Sequence, residues 1–307
     1  MTRTALVTGA SGLLGRQVLN AFKKDAGWNA VGQGFSRPSP PEILKADLTN
    51  ALEFEKLLDD VKPEVVIHCA ANRFPDKCEA DPELARRVNV EATKALAEAT
   101  ASRSILLIYI STDYVFPGTE GEAPYEASSP TNPPNLYGVT KRDGETAVLE
   151  VTRSPAKGVV LRVPVLYGHA DSNSDSAVNT LVDAVWKAQD ENAGLKMDDW
   201  SKRYPTNTED VARVCHDIAI KYLDEKDSNG STLPTVLQFS SEDRMTKYEI
   251  CEMLAEILGL PLPGLVRVTE GNKPGEGVQR PYDTHLSTKA LQDCGISVET
   301  QDFDAWW

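Results

Sequence analysis

The chain has 307 residues, a formal net charge of -14, 41% hydrophobic residues and 25% charged residues. That length buries a sizeable core as one large or two intimate domains, and the composition is that of a globular protein. The acidic balance argues against nucleic acid as a partner, because such a surface repels phosphate backbones; an anionic cofactor must then be held by local dipoles and a few placed cations.

The first predicted strand, Thr4–Thr8 (TALVT), starts almost at the first residue. No apolar leader precedes it and no apolar run reaches membrane-spanning length, so the expected location is cytoplasmic, with no membrane contact. Gly9, Gly12 and Gly15 follow at spacings of three and open an amphipathic helix over Leu13–Lys24. In this strand-turn-helix setting the first glycine permits a tight turn, the second lets a pyrophosphate approach the backbone, and the third lets helix and strand pack closely. The helix N-terminus offers free N–H groups to phosphates. Ser11, Leu13 and Leu14 belong to the same candidate cofactor-binding turn.

The second strand, Ala30–Gly34, runs into Phe35-Ser36-Arg37. A reader of NAD carries an acid near this point to hold the ribose 2′-OH. None is present, whereas Arg37 offers a planar fork suited to a 2′-phosphate, so NADP(H) is the expected cofactor. Asp47 and Leu48, after a further short strand, are placed beside the adenine. A helix is predicted over Leu52–Leu58. The strand Val65–Cys69 (VVIHC) ends in Cys69-Ala70-Ala71, small residues able to flank ribose and phosphates. Asp81-Pro82 starts a helix over Pro82–Ala101, an N-cap acid followed by proline in the first turn. Asn89, on that helix, joins the candidate cofactor-binding set.

The strand Ile105–Ile110 (ILLIYI) runs into Ser111-Thr112, where a hydroxyl can bond a substrate oxygen; Thr112 is preferred over Ser111. Pro117–Asn135 reads as a long loop bordering a substrate cleft. On the predicted helix Leu136–Glu150, Tyr137 and Lys141 are four apart and share a face. The ammonium is expected to lower the phenol pKa, which makes Tyr137 a general acid toward a carbonyl, and Lys141 can reach the nicotinamide ribose. The strand Val159–Val163 places the Val163 backbone against the nicotinamide amide.

Beyond Tyr167 the pattern loosens. Gly168–Ser176 is a polar loop, and helices are predicted over Ala177–Gln189, Glu209–Tyr222 and Lys247–Leu258. The alternation of strands and helices implies an α/β fold: a Rossmann-type doubly wound parallel sheet with a smaller C-terminal lobe. Residues 1–166 form the nucleotide domain, a stretch near 204–240 returns to it, and 167–203 with 241–307 make the smaller lobe. The five cysteines are scattered without a CxxC pair, and the four histidines lack a metal-ligand spacing, so no metal is expected. His68 reads as a satisfied core residue.

The runs TGASGLLG, STDYVF, YGVTK and LRVPVLYG resemble the extended short-chain dehydrogenase/reductases, and RYPTNTEDVA with QRPYDTHLS narrows this to the dTDP-4-dehydrorhamnose reductase group. The chain resembles most the regulatory beta subunits of methionine adenosyltransferase II, through AVGQGFSRP, HCAANRFPDKCE, NLYGVTKRDGE, MDDWSKRYPTNTEDVARVC and MTKYE. That resemblance implies NADP(H) binding, a catalytic alpha subunit as partner, and a role in S-adenosylmethionine synthesis. The family's chains continue past the position of Trp307.

Three functions fit the residues. The first is a regulatory subunit loaded with NADP(H). The second is an NADPH-dependent reductase of a keto group, on a nucleotide sugar or another small molecule, using Thr112, Tyr137 and Lys141, with Arg203 and Arg280 as candidate cations for a substrate diphosphate. The third is a sensor of nucleotide redox state with neither role.

Overall fold

The computed structural model describes residues 2–152, 158–224, 233–273 and 275–307. β1 (Arg3–Thr8) leads through the glycine turn into α1 (Leu13–Lys24), followed by β2 (Trp28–Gly34), β3 (Ile43–Lys45), α2 (Ala51–Val61) and β4 (Val65–His68). Next come α3 (Pro75–Ala80), α4 (Pro82–Arg86), a π-helical turn (Arg87–Glu91), α5 (Ala92–Ser102), β5 (Leu106–Thr112), α6 (Leu136–Val151) and β6 (Gly158–Val163). The remainder is β7 (Leu166–Tyr167), α7 (Thr180–Lys187), β8 (Leu195–Asp198), β9 (Thr206–Asn207), α8 (Thr208–Asp224), β10 (Val236–Gln238), α9 (Lys247–Leu258), β11 (Leu265–Val268), α10 (Lys289–Asp293) and α11 (Phe303–Trp306).

Seven strands make one parallel sheet in the order β10-β6-β5-β4-β1-β2-β3. The chain winds outward from β1 through β2 and β3, then returns to β4 on the other side of β1. This is the switch point where α/β sheets bind ligands, beyond the carboxyl ends of the strands. The register brings those ends level: Thr8 lies beside Gln33 and His68, His68 beside Tyr109, and Thr112 beside Val163.

Successive side chains on a strand face opposite ways. Ala5, Val7, Ile67, Ile108 and Leu161 therefore share one buried face with residues of α1 and α8. Leu6, Val66, Leu107, Tyr109 and Val160 share the other with residues of α2, α5 and α6. Burial on both faces explains the nearly continuous apolar runs of β4 and β5. A separate cluster joins Tyr167, Val178, Leu181 and Val185 to Ile250, Leu254 and Phe303. β10 extends the sheet beyond β6; residues 225–232, inside the stretch expected to return to the sheet, lie outside the described residues.

The helix expected over 82–101 is one rod interrupted by the π turn at Arg87–Glu91. The strands β8, β9 and β11, two to four residues long, were not foreseen, nor was α3, which starts on Pro75. Among the described residues no helix is long and apolar enough to cross a membrane.

Candidate functional site

The loops after β1, β2, β4, β5 and β6 enclose a cleft of about 620 Å³, within the size range of small-molecule sites. The glycine turn forms its floor, and each glycine answers a different steric demand. Gly9 has φ +64°, and a Cβ there would stand 2.9 Å from the Ala70 backbone. A Cβ on Gly15 would strike the Gly9 carbonyl oxygen. Gly12 has an ordinary extended backbone and caps α1, with no side-chain cap and no acid in the first turn. The start of α1 thus keeps its N–H groups and positive dipole end for an outside acceptor. Gln33 sets the turn: its Oε1 accepts the Gly9 N–H at 3.1 Å, and its Nε2 donates to the Ala46 carbonyl at 2.6 Å.

Ser11, Leu13 and Leu14 line the cleft with the three glycines, and Phe35, Ser36 and Arg37 line its β2 end. The Phe35 ring is more than half exposed beside Lys45. Arg37 donates from Nη2 to the Ser11 carbonyl at 2.8 Å. Asp47 and Leu48 lie on the same side, and Asp47 Oδ1 is engaged by the Thr49 N–H and hydroxyl at 2.8 and 2.7 Å. Cys69, Ala70, Ala71 and Val163 form the middle wall. Burial pushes the Cys69 thiol up to about 12, so it stays protonated.

At the other end Thr112, Tyr137 and Lys141 converge. Thr112 Oγ1 donates to Asp113 Oδ1 at 3.0 Å and accepts the Tyr114 N–H at 3.2 Å. Ser111, weighed against Thr112, is committed to structure: its hydroxyl donates to Glu145 Oε1 at 2.5 Å. Asn135 caps α6, accepting the Gly138 N–H at 3.0 Å, which fixes the turn that carries Tyr137. The Lys141 ammonium is buried, donates to the Ile110 carbonyl at 2.7 Å and sits 4.0 Å over the Tyr109 ring. Burial lowers its pKa to about 7.

The expected effect of Lys141 on Tyr137 is corrected by this geometry. Burial raises the phenol pKa well above its ordinary value, and the groups that oppose the rise are Thr112 and Arg73. The lysine, itself desolvated and turned to a carbonyl, does not lead this balance. Desolvation outweighs pairing when both groups leave water together.

Three candidates lie outside the cleft lining. Asn89 is buried behind the wall, its amide spent on the Asn72 backbone (2.8 and 2.9 Å) and on Thr140 (3.0 Å). The π turn places its neighbour Val88 in the lining and Asn89 against residue 72. Arg203 is buried behind Tyr114, donating to its hydroxyl at 2.8 Å, and its Nη2, 3.7 Å from Asp198, has no hydrogen-bond partner among the described residues. Arg280 sits at 2.8 Å from Asp76 of α3. The 117–135 loop, expected at the cleft, contributes no lining residue: Tyr125 stacks on Phe116 at 4.4 Å and pairs with the backbone of His285 and Ser287.

Among the lining residues that the sequence does not announce are Gln33, Arg73, Phe74, Pro75, Val88 and Tyr114. The run NRFP in the loop that follows β4 was a usable signal, since strand-end loops build α/β sites. Tyr114 packs beside Tyr137 at 6.0 Å between ring centroids.

The RmlD substrate binding domain family matches residues 3–304. The methionine adenosyltransferase 2 subunit beta of Xenopus tropicalis is 41% identical over 97% of this chain and 84% of its own. A dTDP-4-dehydrorhamnose reductase of Streptomyces griseus is 38% identical over 67% of this chain and 62% of its own. The crystal structure of dTDP-4-dehydrorhamnose reductase from Bacillus anthracis, in complex with NADP, superposes with a TM-score of 0.79 at 21% identity, covering 100% of this chain and 96% of that one.

Proposed function

The chain belongs to the RmlD substrate binding domain family, in the group that holds the methionine adenosyltransferase beta subunits, and from that premise we propose that it binds NADP(H) and acts as a regulatory subunit on a methionine adenosyltransferase catalytic subunit. The observation that carries the nucleotide half is the uncapped start of α1 and Arg37 within one cleft. An anion can take the first from the helix dipole, and Arg37 is the fork for a second, outlying phosphate. The residues present fit the dinucleotide: the Gly12 position leaves the approach free of a Cβ, and a hydroxyl, a phenol and an ammonium meet at the far end. In this reading residues 1–166, with a stretch near 204–240, form the nucleotide domain, and 167–203 with 241–307 offer the surface for substrate or partner. The separate apolar cluster around Tyr167 and Ile250 supports that division.

The test is affinity capture of a methionine adenosyltransferase catalytic subunit by this chain, with and without NADPH, beside titrations of NADPH and NADH. A micromolar or tighter complex and a preference for NADPH, lost in Arg37→Ala, are the expected results. No complex at tens of micromolar ends the regulatory reading, and equal binding of both nucleotides ends the assignment of Arg37.

A second reading, an NADPH-dependent ketone reductase, is favoured by the convergence of Thr112, Tyr137 and Lys141. The nicotinamide, when bound, supplies hydride. Thr112 would bond and orient the carbonyl oxygen, and the raised phenol of Tyr137 keeps its proton for delivery to that oxygen. Lys141, buried beside the Ile110 carbonyl, would hold the ribose end in place. NADPH oxidation with carbonyl substrates, abolished in Tyr137→Phe, is the expected behaviour; turnover that survives the change removes Tyr137 from the reaction.

A further inference from the structure

Arg37 does not face the cleft alone. Its Nη1 lies 3.6 Å from a carboxylate oxygen of Asp171 and 3.6 Å from one of Asp175. Both acids belong to the stretch between β7 and α7, on the far side of the cleft from β2. That stretch is braced rather than loose: the Ser176 hydroxyl donates to the Leu166 carbonyl at 2.7 Å, Asn173 donates to Asp183 of α7 at 2.8 Å, and Ser172 caps the turn that carries Asp175. Asp171 has a second cation, Arg16 of α1, which donates to it from Nη1 at 2.7 Å. Asp175 is the more enclosed acid, at 20% side-chain exposure, and has no second arginine within ion-pair distance among the described residues.

We infer that Asp171 and Asp175 set the ratio of NADP(H) to NAD(H) binding, by competing with the 2′-phosphate for the Arg37 guanidinium and repelling it with their own charge. The inference rests on the assignment of Arg37 to that phosphate. A guanidinium already flanked by two carboxylates is largely neutralised, so a dianionic phosphate must displace one of them or accept a like charge at close range. A 2′-hydroxyl carries no charge and meets neither cost. The two acids differ in what they lose. Asp171 can release Arg37 and keep Arg16, whose hydrogen bonds hold its carboxyl below the usual range. Asp175, with no second arginine in ion-pair distance among the described residues, would keep the longer-range charge of Arg73. Asp175 is therefore the stronger brake, and both are specificity-determining residues that touch the arginine and not the nucleotide.

The experiment is calorimetric titration of NADPH and NADH into the full chain as wild type, Asp171→Asn, Asp175→Asn and the double variant. Asp175→Asn should raise the NADPH-to-NADH affinity ratio about twofold to fivefold, the range of a half-exposed ion pair. Asp171→Asn should raise it less, and the double variant should exceed both. Asp175→Ser gives an independent reading of the same charge, and melting without ligand checks that each variant is folded. A ratio that stays within error or falls in the double variant overturns the inference, because the carboxylates would then be idle or would orient Arg37. If Arg37→Ala leaves the wild-type ratio intact, the inference falls with its premise, and that result is distinct from the first.

Discussion

Glu145 and Arg162 form a two-pronged ion pair inside the protein: Arg162 Nε meets Glu145 Oε1 at 2.9 Å and Nη2 meets Oε2 at 2.8 Å, each side chain 5% exposed. Glu145 stands one turn beyond Lys141 on α6, and Arg162 lies on β6. The pair therefore locks the helix that carries Tyr137 and Lys141 to the sheet that carries Thr112. Ser111 donates to the same carboxylate, while Arg162 also reaches the Ala127 carbonyl and the Gln238 amide oxygen.

Removing one partner leaves the other charged and buried, which costs about 3–5 kcal/mol. Glu145→Gln should lower unfolding stability by that order in urea titrations. Replacing both, Glu145→Leu with Arg162→Met, should recover most of the loss, since no orphan charge remains. Equal losses in the single and double variants would mean that packing, not charge, sets the cost.

The glycines of the first turn separate stability from binding. Gly15→Ala pushes a methyl onto the Gly9 carbonyl and should destabilise by about 1–3 kcal/mol, the usual cost of overpacking. At Gly12 a Cβ would meet only the Gly9 oxygen at 3.2 Å, on a backbone any residue adopts. Gly12→Ala should leave the melting temperature nearly unchanged and weaken NADPH at least tenfold, because the methyl occupies the phosphate approach. Thermal melts with nucleotide titrations on both variants check this; equal losses of stability would remove the distinction.

These two sites also mark what the sequence made legible. The glycine turn and α1 are local: the spacing of three and the apolar period announce them, and the observed helix spans Leu13–Lys24 as read. The same holds for α9 and, to within a residue or two, for β6 and α6. What stayed hidden depends on tertiary context. The π turn at Arg87–Glu91 interrupts no apolar period, yet it sends Asn89 to the Asn72 backbone instead of to the cleft. Tyr125 leaves the cleft because Phe116, His285 and Ser287 claim it, and two of these lie some 160 residues away in the chain. Strands as short as Thr206–Asn207 hold too few side chains to show a period. The raised phenol of Tyr137 follows from burial, which spacing does not encode.

Lys141 gives a pH signature on the alkaline side. Its pKa falls from 10.5 to about 7 in the fold, because burial disfavours the ammonium. Between those values the unfolded chain holds the proton and the folded chain does not, so stability rises with pH from about 7 toward 10. Below 7 the charge is buried in full. Lys141→Met should therefore be more stable than wild type at pH 6, by up to a few kcal/mol, and the two should converge near pH 10. Denaturant unfolding at pH 6, 7.5 and 9 measures the difference, and a constant offset would mean that the ammonium is solvated.

His68 works in the opposite window. It is buried at the end of β4, with Nδ1 2.7 Å from Thr8 Oγ1 and Nε2 3.1 Å from Thr93 Oγ1. Burial, helped by the Lys141 charge, lowers its pKa from 6.5 to about 3. On acidification the unfolded chain takes the proton first. The stability that His68 contributes is complete above about pH 6.5 and declines as pH falls toward 3, by up to roughly 1.4 kcal/mol per pH unit. His68→Gln, which does not titrate and can still bond both threonines, should unfold with a shallower dependence on pH between 6 and 4. Carboxylates contribute the same slope to both proteins, so the difference isolates the imidazole. Parallel curves would show that the ring is protonated or hydrated in the folded chain, and that the carboxyl end of β4 is wetter than its packing allows.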